Sequence, residues 1–218
     1  MHLTPFQPDR VTAALDLIFG LFSLGVAMLF AHLNKKQDSW KTSIWMWMFT
    51  LLAISSFLGV VVHGLDISDW SRYLLWQPLD LTLGSVLGFF VSGVICDLFG
   101  QAVSKKVLPY LIGLGFVFSL VIFLSHTTYR AFIPYEAAAF FFALGSYSWL
   151  TYKKTLAGAG LWVAGILITI IAAVVESIGQ DNQPYFWQFD HNGVSHVLEL
   201  FGIALIVGGL WESLRPNR

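Results

Sequence analysis

Seven stretches of this 218-residue chain run for about twenty apolar residues without a single Lys or Arg, at Val11 to Leu33, Ser43 to His63, Leu79 to Gly100, Val107 to Ser125, Ala131 to Tyr152, Ala157 to Ile178 and Val194 to Leu214. A helix needs about 20 such residues to cross a hydrocarbon core of roughly 30 Å. Inside lipid every backbone N–H and C=O must be satisfied within the segment, so stretches of this length form helices. The expectation is an all-α, single-domain, multi-pass membrane protein, a bundle of seven transmembrane helices. Composition agrees: 11% of residues are charged, under half the roughly 25% of soluble domains. The first stretch is read as a span and not a secretory signal, because no basic residue precedes Arg10, the apolar run is too long, and Lys35 and Lys36 follow it.

The positive residues give a direction. Lys35, Lys36, Lys41, Lys105, Lys106, Lys153, Lys154, Arg215 and Arg218 fall on one side of the alternating spans, against Arg10, Arg72 and Arg130 on the other. Lys and Arg near helix ends stay cytoplasmic, which predicts an outer amino terminus and an inner carboxyl terminus. The net charge of −1 and the lack of a basic patch exclude nucleic acid as a partner. One cysteine, Cys96, allows neither an intrachain disulfide nor a thiolate metal cage, and is assigned to core packing.

Helices in lipid gain from close backbone approach. Gly84 and Gly88 form a GxxxG, and Gly160, Gly165, Gly202, Gly208 and Gly209 enrich the last two spans. Trp40, Trp45, Trp70, Trp76, Trp187 and Trp211 are expected in interfacial belts. Two outer loops stand out: Asp69 to Trp76, read as a short helix lying along the surface, and the Gln-, Asn- and Pro-containing stretch with Tyr185, Phe186 and Trp187. Either is a candidate lid.

An ionisable group at a span's centre costs about 2.5 to 3.5 kcal/mol by insertion scales, so the placement of such groups carries information. His63, Asp80, Glu136, Glu176 and His196 all fall at outer helix ends, and Asp16 lies about 9 Å further along the first span at 1.5 Å per residue. His126 and His191 fall in outer loops. Zinc takes imidazole and carboxylate ligands and lowers the pKa of a bound water to about 7. His63 and His196 are the leading ligand candidates, and Asp80 either completes the shell or is the catalytic carboxylate that holds or deprotonates the water. Asn192, Asp16, Glu176 and Glu199 are candidate outer-shell or substrate-facing groups. Glu136 and Asp97 are assigned to the interface. The same residues also fit plain helix-end placement, with Asp80 favouring the positive amino end of its helix and His63 the carboxyl end of its own.

The segments Phe57-Leu58-Gly59-Val60-Val61-Val62-His63, Asp80 at the head of the next span, and Asn192-Gly193-Val194-Ser195-His196-Val197-Leu198 resemble the motifs of the CREST superfamily. That group contains alkaline ceramidases, progestin and adipoQ receptors and related seven-span hydrolases. The resemblance implies zinc bound by a His late in span two and two His early in span seven, with the span-three Asp near the bound water. Where the family has Ser four positions before the first His, this chain has Gly59. The first position of the span-seven HxxxH is Asn192, with His191, the candidate third ligand that the resemblance implies, one residue earlier. On a regular helix His191 and His196 are roughly 140° apart about the axis, so both reach one ion only if Asp190 to Gly193 is non-helical.

The leading functional expectation is therefore a zinc-dependent hydrolase of a lipid amide or ester, with its site near the outer face and membrane lipids as partners. Two alternatives stand beside it. One is a non-catalytic receptor or sensor; the other is a haem b protein with His63 and His196 as axial ligands. A retinal Schiff base is excluded in the seventh span, which has no Lys.

Overall fold

The computed structural model describes residues 2–125, 132–179 and 184–215. Within them the chain forms seven helices: α1 (Gln7–Gln37), α2 (Trp40–Gly64), α3 (Asp69–Phe99), α4 (Gln101–Ser125), α5 (Ile133–Lys153), α6 (Ala159–Ile178) and α7 (His191–Leu214). Six are long and apolar enough to cross a membrane. The exception is α5, whose Glu136, Ser146, Tyr147, Ser148 and Thr151 dilute its apolar character. His126, Arg130, Ala131, Arg218 and the stretch 180–183, part of the second candidate lid, lie outside the described residues.

Two local expectations are corrected. The segment Asp69 to Trp76 is not a separate surface helix but the first turns of α3, capped by Ser68 Oγ accepting from the Ser71 amide at 3.2 Å. The helix runs on through Pro78, which lacks an N–H and so removes one intrahelical bond without stopping the chain. The start of α7 is regular from His191, because the Asp190 carboxylate accepts from the Gly193 amide at 2.9 Å and caps the helix. The non-helical opening that would bring His191 beside His196 does not occur.

Glycines set the closest helix approaches. A Cβ on Gly165 of α6 would stand 2.6 Å from the Gly202 carbonyl oxygen of α7, and one on Gly84 would stand 3.0 Å from the Gly115 carbonyl oxygen of α4. Only Gly permits backbone-to-backbone contact of this kind in lipid. Gly165→Val should therefore lower the thermal midpoint of the detergent-solubilised protein, by an overpacking cost of about 1–3 kcal/mol. An unchanged midpoint would contradict the α6–α7 contact. Between α3 and α4 a single residue, Gly100 at φ 84°, makes the turn, a conformation that costs other residues.

The middle of the bundle is aromatic. Trp162 stacks on Tyr147 at 4.3 Å and meets Trp45 at 5.0 Å; Phe90 lies 5.6 Å from Phe140. Trp45 is fully buried, contrary to its expected interfacial place, because Gly93 of α3 leaves room for its ring. Trp70 and Trp187 are exposed as expected. Below this layer Lys41 of α2 pairs with Asp97 of α3 and donates to Ser213 Oγ of α7 at 3.0 Å, while Tyr147 of α5 donates to the second Asp97 oxygen at 3.0 Å. Asp97, expected at an interface, is thus a buried clasp joining four helices.

Candidate functional site

Above the aromatic layer the helices part around a cavity of about 760 Å³, within the range of small-molecule sites. Met48 and His63 both line it. They are fifteen residues apart on α2, so the cavity extends about 22 Å along that helix. Its inner end is apolar, with Met48, Phe90, Phe140 and Ile206. Its other end collects Asp16, His63, Asp69, Arg72, Asp80, Glu136, Glu176, His191, Asn192, His196 and Glu199. Every residue singled out from the sequence as a ligand, catalytic or outer-shell group therefore faces one space, although they come from α1, α2, α3, α6 and α7.

The best-defined unit is an imidazole held by carboxylates. His196 Nε2 bonds Asp16 Oδ1 at 3.0 Å, and its Nδ1 lies 3.9 Å from Glu199 Oε2, one turn along α7. Ser195 Oγ sits 3.4 Å from the same Nδ1 and donates to the Asn192 carbonyl at 2.8 Å. Glu176 of α6 is near enough to feel both His196 and Asp16. Asp16 reaches His196 because Gly59 leaves space: a Cβ there would stand 2.7 Å from Asp16 Oδ2.

His63 is close enough to feel the charges of Asp16, His196 and Arg72, and its ring meets Trp76 edge-on at 5.8 Å. The Arg72 guanidinium donates to the Val62 carbonyl at the end of α2, tying the mouth of α3 to α2. His191 is buried, packed on Gly179 with Tyr185 at 6.4 Å. It lines the cavity from a different side of α7 than His196, as the regular helix requires. Asp80 is 4% exposed and its Oδ1 has no hydrogen-bond partner.

Among the described residues no three His, Cys, Asp or Glu side chains are arranged to hold one metal ion. The ring nitrogen of His196 nearest another helix is taken up by Asp16, and His191 enters the cavity from a different side of α7. The arrangement as folded is a carboxylate-oriented imidazole, which moves protons well, set at one end of an otherwise apolar chamber. Sequence reasoning found these residues by their depth in the spans. It missed that Asp16 is the direct partner of His196, for which the one available signal was the small residue at Gly59.

No curated protein and no solved structure matches the chain. One family model matches residues 11–214, nearly the whole bundle with the cavity residues just described, and the chain belongs to that family, the family of unknown function DUF6962.

Proposed function

We propose that this chain is a multi-pass membrane hydrolase that cleaves an amide or ester bond of a single-chain amphiphile held in the cavity. The observation that carries the reading is the union, in one space, of an oriented imidazole and an apolar chamber about 22 Å long. A lipid's hydrocarbon suits the floor at Phe90, Phe140 and Ile206, which leaves its polar bond at the level of His196. The working form in this reading is the neutral imidazole with its proton on Nε2 toward Asp16, whose Nδ1 accepts a proton from water as the water oxygen attacks the carbonyl carbon. Asp16 and Glu199 balance the imidazolium so formed, which then returns the proton to the leaving amine or alcohol. The proton-accepting role expected of Asp80 passes in this reading to His196.

The lysine and arginine asymmetry supports an outer amino terminus, with the polar end of the cavity at the outer face and α5 crossing as a seventh span inside the bundle. Zinc enters the reading as a measurement. Its candidate donors His63, His196, His191 and Asp80 do not converge as folded, so no step is assigned to it. Receptor and haem readings are separated by the same material.

The test is a panel of acyl amides and esters incubated with protein purified in detergent, with released fatty acid as the readout and metal content and the visible spectrum recorded alongside. Release of fatty acid in the presence of chelator is expected, with less than one zinc per chain and no Soret band. Absence of release across the panel, with or without added zinc, overturns the hydrolase reading; release that requires stoichiometric zinc restores the metal and removes the metal-free mechanism.

A further inference from the structure

The α3 wall of the cavity holds Asp80, a carboxyl with no partner among the described residues. Asp80 shares its face of α3 with Leu83 and Leu87, three and seven residues on, and these pack with Ile122 and Phe132 into a small apolar cluster. The residue is 4% exposed, its Oδ1 accepts no hydrogen bond, and among the described residues no charged side chain lies near enough to act on it. A carboxylate buried without a partner is among the costliest features a fold can carry, and intramembrane ionisable groups of this kind face pathways and ligands. Among the described residues that line it, Asp16, Asp69, Asp80, Glu176 and Glu199 stand against one guanidinium, Arg72, and three imidazoles. Trp76 and Phe132 line the same space, and aromatic faces attract ammonium groups.

We infer that the amphiphile taken by this cavity carries a positive charge, an alkyl ammonium whose nitrogen pairs with the unpartnered Asp80 carboxylate beside Phe132. This rests on the cavity taking an amphiphile, as in the reading above, and not on hydrolysis. It names the ligand class as long-chain amines or their head-group conjugates, in preference to neutral or anionic lipids. A charge-assisted pair of this kind discriminates against an uncharged isostere by roughly tenfold or more.

The experiment compares dodecylamine with dodecanol as stabilisers of the protein in maltoside micelles, at matched mole fractions, for the native chain, Asp80→Asn and Asp80→Glu. The native chain is expected to reach half-maximal thermal stabilisation at a dodecylamine concentration at least tenfold below that for dodecanol. Asp80→Asn should make the two equal, Asp80→Glu should keep the preference for the amine, and without ligand Asp80→Asn should unfold at a higher temperature than the native chain. Equal stabilisation of the native chain by both compounds, or an amine preference that survives Asp80→Asn, overturns the ammonium assignment while leaving an amphiphile cavity intact. Stabilisation by neither compound overturns both the assignment and the amphiphile reading beneath it.

Discussion

Exchanging His196 for Gln is expected to lower hydrolytic turnover by about 10²- to 10⁴-fold, the usual worth of a positioned general base, while the helical content and thermal midpoint of the purified protein stay close to native. Gln preserves bulk and a donor toward Asp16 but cannot accept and return a proton. Asp16→Asn should give a smaller loss, because the imidazole keeps a neighbour at Nε2 but loses the charge that stabilises its protonated form. Glu199→Gln should be milder still, since its oxygen lies 3.9 Å from Nδ1 and forms no direct bond. The ranking is the informative part. If Asp16→Asn and His196→Gln are both as active as the native protein, the pair at 3.0 Å is a structural tie and not the proton-transfer apparatus. Turnover lost together with folding would be read from the same thermal measurement.

Deletion of the Asp97 carboxylate should be the most damaging single change to stability. In Asp97→Ala the Lys41 ammonium, whose side chain is 14% exposed, loses its counter-charge while Ser213 and Tyr147 lose a common partner. Breaking a buried ion pair by removing one member costs about 3–5 kcal/mol, whereas replacing both members with apolar groups is often neutral. Accordingly Asp97→Ala is expected to unfold at a much lower temperature than the native chain, and the double change Lys41→Met with Asp97→Leu should recover most of the difference. A single variant as stable as the native protein, or a double variant no better than the single, would show that the clasp of α2, α3, α5 and α7 does not hold that end of the bundle together. The clasp lies on the far side of the Trp45, Trp162 and Tyr147 layer from the cavity, so neither change should alter ligand preference directly.

Much of the architecture was legible in apolar periodicity alone. All seven windows correspond to helices, and α6 and α7 end where expected, at Ile178 and Leu214. Most boundary errors lengthen a helix, while α5 and α6 begin two residues inside their windows, at Ile133 and Ala159. Helices extend past their apolar stretches wherever a cap or a polar turn is available, as Ser68 and Asp190 provide for α3 and α7, and hydropathy does not register capping. The polar side chains of α5 are split: Ser146 and Tyr147 are buried, with Tyr147 bonded to Asp97, while Ser148 and Thr151 are exposed, and composition alone does not tell these apart.

The candidate site was legible by depth but not by pairing. The positions of ionisable residues along their helices assign His63, Asp80, Glu176 and His196 to one level of the bundle, and all four do face one cavity. Which side chains bond is a matter of helix rotation and spacing, which one sequence does not report. That Asp16 meets His196 depends on α1 pressing against α2 at Gly59, and that His191 enters the cavity from another side of α7 depends on the Asp190 cap keeping α7 regular.

The sequence by itself determined that this chain is helical and apolar enough to live in a membrane, because backbone polarity in hydrocarbon leaves long apolar segments few alternatives, and that its ionisable residues share a depth. Only the tertiary structure decided that Trp45 lies in the core, that Asp97 and Lys41 neutralise each other there, and that Asp80 stands alone. The physical reason is that charge in a low-dielectric bundle is stabilised by partners a few ångströms away on other helices, and those partners exist only once the helices have docked.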